Sequence, residues 1–172
     1  LDDPGDVSVC DQYELPEITG SDLTGTQAYY TEVGGSGISF QPGDIISSST
    51  ILYIYDENAI CSNQVELAIN ITPTPVLDDI EDVTTCESFV LPPITGNPVN
   101  SPKYFTEQNG SGDIFFPGDI ITTSQTLFVY DINNGCFDEI SFDITILETP
   151  EINDIENVIA CDEFILPQIT GT

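Results

Sequence analysis

The chain has 172 residues, and thirty Asp and Glu stand against one basic residue, Lys103, for a formal net charge of −29. Holding nucleic acid or an anionic membrane surface takes clustered Lys and Arg, so nucleic acid is excluded as a partner. There is no His, which removes serine triads, Cys-His pairs and His-ligated zinc, while 40% hydrophobic content with seven Tyr and nine Phe is enough apolar surface for a folded core.

Along the chain, no apolar run approaches the roughly 18 residues of a membrane span, and the opening Leu1-Asp2-Asp3-Pro4 lacks the basic start of an export signal. With no Met anywhere, the sequence reads as a processed or excerpted piece of something longer. Cys10 then opens a phrase, Cys-Asp-Gln-Tyr-Glu-Leu-Pro-Glu-Ile-Thr-Gly, that returns in close variants at Cys86 and Cys161. From Tyr29 onward the copies run at a constant offset: Tyr29-Tyr30-Thr31-Glu32 with Tyr104-Phe105-Thr106-Glu107, Pro42-Gly43-Asp44 with Pro117-Gly118-Asp119, Cys61 with Cys136. Such self-similarity marks an array of structural units. We read residues 1–74 as a first repeat, 75–149 as a second and 150–172 as the opening of a third, with Pro73-Thr74-Pro75 and Thr149-Pro150 as short, stiff linkers.

Within a repeat the apolar period is two. Leu52 and Ile54 alternate with Tyr53 and Tyr55. Val65, Leu67, Ile69 and Ile71 alternate with Glu66, Ala68 and Asn70, and Ile140, Phe142, Ile144 and Ile146 keep the phase. Gly34-Gly35-Ser36-Gly37 and Asn109-Gly110-Ser111-Gly112 read as hairpin turns, and each Pro-Gly-Asp reads as a type II turn. About seven short strands per repeat, with turns every 8 to 12 residues, predict an all-β chain of tandem immunoglobulin-like antiparallel sandwiches.

The spacing of five cysteines admits Cys10 with Cys61 and Cys86 with Cys136, or Cys61 with Cys86 and Cys136 with Cys161. The first register, one disulfide per repeat with the partner of Cys161 outside the chain, is the expectation, because the second would tie repeats across the proline linker. No Cys-x-x-Cys spacing supports a thiolate metal site, and paired cysteines point to an oxidising compartment.

Taken together, the Cys-x-x-aromatic-x-Leu-Pro-x-Ile-Thr-Gly phrase, Ala28-Tyr29-Tyr30-Thr31, Gly35-Ser36-Gly37, Pro42-Gly43-Asp44-Ile45-Ile46 and Leu52-Tyr53-Ile54-Tyr55 resemble tandem immunoglobulin-like repeats of large Bacteroidota surface proteins. Those proteins are similar in organisation to gliding-motility-associated adhesins exported by type IX secretion. The resemblance implies an extracellular, cell-surface stalk segment that presents a distal binding tip, with neighbouring repeats as its partners. It implies no catalytic residue and no enzyme.

Ligand chemistry falls to the carboxylates. Asp78, Asp79, Glu81 and Asp82 crowd the junction between repeats and form a candidate calcium set, with a solvated acidic surface as the alternative. Asp44, Asp119, Asp56 and Asp131 read as turn residues whose carboxylates accept backbone donors. Because Tyr29-Tyr30 and Tyr104-Phe105 are adjacent in strands, one of each pair points outward, where it would pack half-buried or contact a surface glycan. Two alternatives to the stalk remain: a carbohydrate- or protein-binding module, and a filament subunit in which the segment from Pro150 completes a neighbour by strand addition.

Overall fold

A computed structural model describes residues 1–171, and it contains fourteen strands and no helix among them. The first seven are β1 (Val7–Cys10), β2 (Tyr13–Glu14), β3 (Ala28–Glu32), β4 (Ser36–Phe40), β5 (Ile45–Ile46), β6 (Thr50–Glu57) and β7 (Ser62–Thr72). The second seven repeat them: β8 (Val83–Cys86), β9 (Phe89–Val90), β10 (Lys103–Glu107), β11 (Ser111–Phe115), β12 (Ile120–Ile121), β13 (Gln125–Asn133) and β14 (Cys136–Leu147).

Each set forms a five-stranded sheet, ordered β1-β7-β6-β3-β4 and β8-β14-β13-β10-β11, faced by a two-stranded ribbon, β2-β5 or β9-β12. Strand β1 runs parallel to β7, with Val7 opposite Ile69 and Cys10 opposite Thr72, whereas β3, β6 and β7 pair antiparallel. A first strand added in parallel to the last, beside an antiparallel meander and across from a smaller sheet, is the immunoglobulin-like sandwich. Both units have it.

Alternation along the strands sorts the side chains. Leu52, Ile54, Leu67 and Ile69 point between the sheets and join Leu15, Ile18, Tyr29 and Ile46 in the first core. Leu127, Val129, Phe142 and Ile144 do so in the second, with Leu77, Leu91, Tyr104 and Ile121. Residues at the same place in the repeat therefore fill the same place in the core, Phe142 standing where the first unit has Leu67. Tyr29 and Tyr104 are fully buried, and their hydroxyls donate to the carbonyls of Pro16 and Pro92 at 2.9 and 2.8 Å. Burial of the phenol pushes the pKa of each up to about 12.

The recurring Leu-Pro-x-Ile-Thr-Gly phrase now has a structural role. Its Leu enters the core and its Pro carbonyl takes the tyrosine hydroxyl, while its Thr carbonyl accepts the backbone N–H of the segment that opens the unit: Asp2 to Thr19 and Asp78 to Thr95, both at 2.9 Å. Asn153 donates to Thr170 at the same distance, and Ile152 bridges Gly171 as Leu77 bridges Gly96, so the third copy of the phrase takes the same local shape. That copy is exposed over residues 149–171.

The turns are built as their residues dictate. Gly43 and Gly118 sit at φ of 89° and 94° inside Pro-Gly-Asp turns, and the Asp44 and Asp119 carboxylates accept from the backbone N–H groups of Gln41 and Phe116 at 2.7 Å. At the tip of the first hairpin, a Cβ on Gly35 would stand 2.6 Å from the Tyr55 ring, and one on Gly110 would stand 2.7 Å from Tyr130. Glycine lets the aromatic lie across the turn.

Candidate functional site

The expected pairing of cysteines within each repeat is not what the structure holds. Cys10 is bonded to Cys136, 126 residues away and in the other unit, with Cα atoms 5.7 Å apart. Cys61, Cys86 and Cys161 are exposed free thiols. The reason is strand length. Cys10 lies opposite Thr72, the last residue of β7, whereas Cys61 immediately precedes Ser62, its first. Eleven residues of extended chain put about 33 Å between the two ends, and a disulfide requires Cα atoms within about 7 Å. Cys86, opposite Leu147, and Cys136, opening β14, stand apart in the same way. The other register, Cys61 with Cys86 and Cys136 with Cys161, fails too. Cys61 caps the far end of the first unit and Cys86 the far end of the second.

Each unit thus carries one cysteine at either end of its long sheet. The end where β1 and β7 finish meets the β13–β14 hairpin of the next unit, and the disulfide closes that contact. Around it, the Asn133 side-chain amide donates to the Pro73 carbonyl in the linker at 3.3 Å. Asp11 turns back on Thr74, accepting from its N–H at 2.8 Å and from its hydroxyl at 2.7 Å. Those bonds, the backbone one foremost, hold the Asp11 carboxyl below its usual pKa. Beyond the linker, the Asp138 carboxylate accepts from the Leu77 N–H at 2.8 Å, fixing where the second unit begins.

Cys136 is delivered by a two-residue hairpin turn. Asn134 and Gly135 both have positive φ, 47° and 93°, which is the type I′ pattern, and they set Cys136 directly opposite Asn133. In the first unit the same hairpin is wider. There the Asn58 side chain accepts from the backbone N–H groups of Ile60 and Cys61 at 3.0 and 2.9 Å.

The acidic quartet does not converge. Asp78, Asp79, Glu81 and Asp82 are all exposed, and no three His, Cys, Asp or Glu side chains among the described residues are placed to share an ion. Asp82 is spent on the sheet, its carboxylate accepting from the Asp143 N–H at 2.8 Å, just as Asp6 accepts from Ala68 at 3.1 Å. These two fasten the parallel strand to its neighbour.

Asp56 and Asp131 accept backbone donors as expected, but across about thirty residues of sequence instead of within a local turn. The Asp131 carboxylate, 1% exposed, takes the N–H groups of Asn100 and Ser101 at 2.6 and 2.8 Å. Asp56 takes the Thr24 N–H at 3.0 Å and the Thr24 hydroxyl, and that side-chain bond is the chief reason its pKa is lowered. Both anchor the long connection before the third strand of their unit. Of the paired aromatics, Tyr29 and Tyr104 go to the cores. Tyr30 and Phe105 lie on the opposite sheet face, edge-on to Tyr55 and Tyr130 with ring centroids 6.2 and 6.1 Å apart.

No protein-family profile matches the chain, and no curated protein matches it either. Solved structures with similar folds include extracellular domains 3–5 of Drosophila OTK, at 11% identity and a TM-score of 0.44 over 83% of this chain and 59% of that one. A titin I-band fragment gives 9% and 0.43 over 86% and 65%, and a Dscam structure gives 15% and 0.38 over 84% and 44%. The chain thus spans less than half of the Dscam structure. With every score below 0.5, the immunoglobulin-like assignment stands on strand order and register.

Proposed function

We propose that the chain is a non-enzymatic structural segment of a large extracellular surface adhesin, where it spaces a binding tip away from the cell. The observation that carries this reading is the Cys10–Cys136 disulfide between successive units. Burial within each sandwich already stabilises each unit. A covalent bond added between units serves their relative placement, which matters to a spacer and not to a free-standing binding domain. The disulfide supports an oxidising compartment outside the cytoplasm, and the repeat phrase resembles that of Bacteroidota surface proteins. The concave sites among the described residues include a polar one lined by Ser21, Asp22, Thr24, Asp56 and Cys61 and a mainly apolar one lined by Phe40, Ile45, Ile46 and Leu52.

Electron microscopy of the native protein on the cell surface tests the reading. The expected image is a thin thread whose length grows with the number of repeats. A compact particle would overturn it.

A further inference from the structure

We propose that the Cys86 end of the second unit and the Cys61 end of the first are the two halves of one interface. Each is fitted to the opposite end of another repeat of this same type, so that the Cys10–Cys136 staple recurs from repeat to repeat. The inference rests on reading the chain as an array of stapled units.

The ends of the two units where β1 with β7 and β8 with β14 finish share their backbone hydrogen bonds. Gln12 donates to the Cys10 carbonyl at 2.6 Å and Ser88 to that of Cys86 at 2.7 Å. Asp11 donates to the Thr72 carbonyl at 3.0 Å and Glu87 to that of Leu147 at 3.1 Å. Asp11 and Glu87 share a left-handed backbone, φ 60° and 63°, and the Thr149 hydroxyl donates to the Glu87 carboxylate at 2.8 Å, as that of Thr74 does to Asp11. Cys86 is therefore presented as Cys10 is, and Cys10 is already bonded. At the hairpin ends, Cys61 and Cys136 stand at the same place in the repeat, Cys61 immediately before the last strand of its unit and Cys136 opening that strand, and Cys136 is already bonded. The complement of the Cys86 end is a hairpin cysteine of the Cys61 kind. Nothing covers either thiol, for both are exposed and residues 149–171 pack against no core.

Closure is thiol–disulfide exchange with a small disulfide oxidant such as oxidised glutathione. The Cys61 thiolate attacks the oxidant and releases one glutathione thiolate. The Cys86 thiolate then attacks the mixed disulfide, forms the Cys61–Cys86 bond and releases the second. Two cysteine thiols are oxidised, one glutathione disulfide is reduced to two thiols, and the two cysteine protons pass to solvent or to the released thiolates.

The test supplies the second repeat as a second copy of the whole 172-residue chain, incubated at increasing concentration in a glutathione redox buffer. Non-reducing electrophoresis and peptide mapping then follow the bonds. The expected result is a reducible ladder of oligomers in which Cys61 is joined to Cys86, while Cys161 stays open to alkylation. Either Cys61→Ser or Cys86→Ser alone abolishes the ladder, and a mixture of the two variants stops at dimers. Cys10–Cys136 forms in every case and reports that the chain is folded. Monomers with reactive Cys61 and Cys86 beside an intact Cys10–Cys136 bond would overturn this inference and leave the proposed function standing. So would oligomers joined through Cys161 or through like cysteines. Failure of the Cys10–Cys136 bond itself would count against the proposed function.

Discussion

Asp11 holds Thr74 by two hydrogen bonds, to its backbone N–H and to its hydroxyl, so the turn after β1 is tied to the linker 63 residues later in sequence. Both groups lie beside the disulfide, and the pair sets how the first unit ends. Its pH dependence follows from the lowered Asp11 pKa. A carboxyl depressed in the folded state stabilises above its unfolded pKa near 3.8 and loses that contribution as pH falls through its lower folded value. Asp56, lowered chiefly by the Thr24 hydroxyl, behaves alike. A carbon-detected carboxyl titration should place both below 3.8, and Thr74→Val should return Asp11 toward that value.

The buried tyrosines act at the opposite extreme. Tyr29 and Tyr104 ionise only near 12 when folded, against about 10 when unfolded, so their contribution is complete below pH 10 and is lost between 10 and 12. An ultraviolet absorbance titration should show these two tyrosines ionising near 12, and the melting temperature should fall across that window. Phenylalanine at both positions should flatten the fall.

Asp131 is the most deeply buried carboxylate, and removing it strands the N–H groups of Asn100 and Ser101. Asp131→Ala should destabilise the second unit by about 3 kcal/mol, read from urea denaturation. Asp131→Asn keeps one acceptor oxygen and should recover part of the loss.

At the tip of the second hairpin, Gly110→Ala meets two obstacles, a φ of 63° and a ring 2.7 Å from the new Cβ. The expected cost is about 2 kcal/mol. The companion change Tyr130→Ala should remove the steric share and leave the backbone share, a coupling that a double-mutant cycle measures.

Because Asp78, Asp79, Glu81 and Asp82 do not gather around a point, divalent ions should act on this chain by screening its charge of −29. Millimolar calcium should raise the melting temperature no more than the same concentration of magnesium. A calcium-specific rise would require a site of six to eight oxygens.

Strand positions were legible in the sequence because alternation such as Val65, Leu67, Ile69, Ile71 has a single physical solution when one face is buried. The repeat made the second unit readable from the first. The cysteine pairing was not legible, because it depends on which ends of a strand two residues occupy. That in turn depends on β1 running parallel to β7, a pairing between segments 62 residues apart with no local signature. One clue was present. Asn134-Gly135 is a strong two-residue hairpin signal, and it places Cys136 at the tip of a hairpin, the end of a unit and not its middle. The roles of Asp56 and Asp131 were half legible: a short acid after a strand suggests an acceptor, but the donors lie in a connection whose path only the fold defines.

The staple also decides where mechanical load travels. When the chain is pulled from its first residue and from Thr149, tension runs along β1 to Cys10, crosses the sulfur bridge to Cys136 and leaves along β14. Residues 11–135, which include most of both cores, lie off that covalent route. Strands β1 and β14 on that route are already drawn out to about 3.3 Å per residue, so they have little length left to yield. Under force the oxidised chain acts as a tether of nearly fixed length, and reduction of one bond turns the same polypeptide into one that can pay out its folded residues.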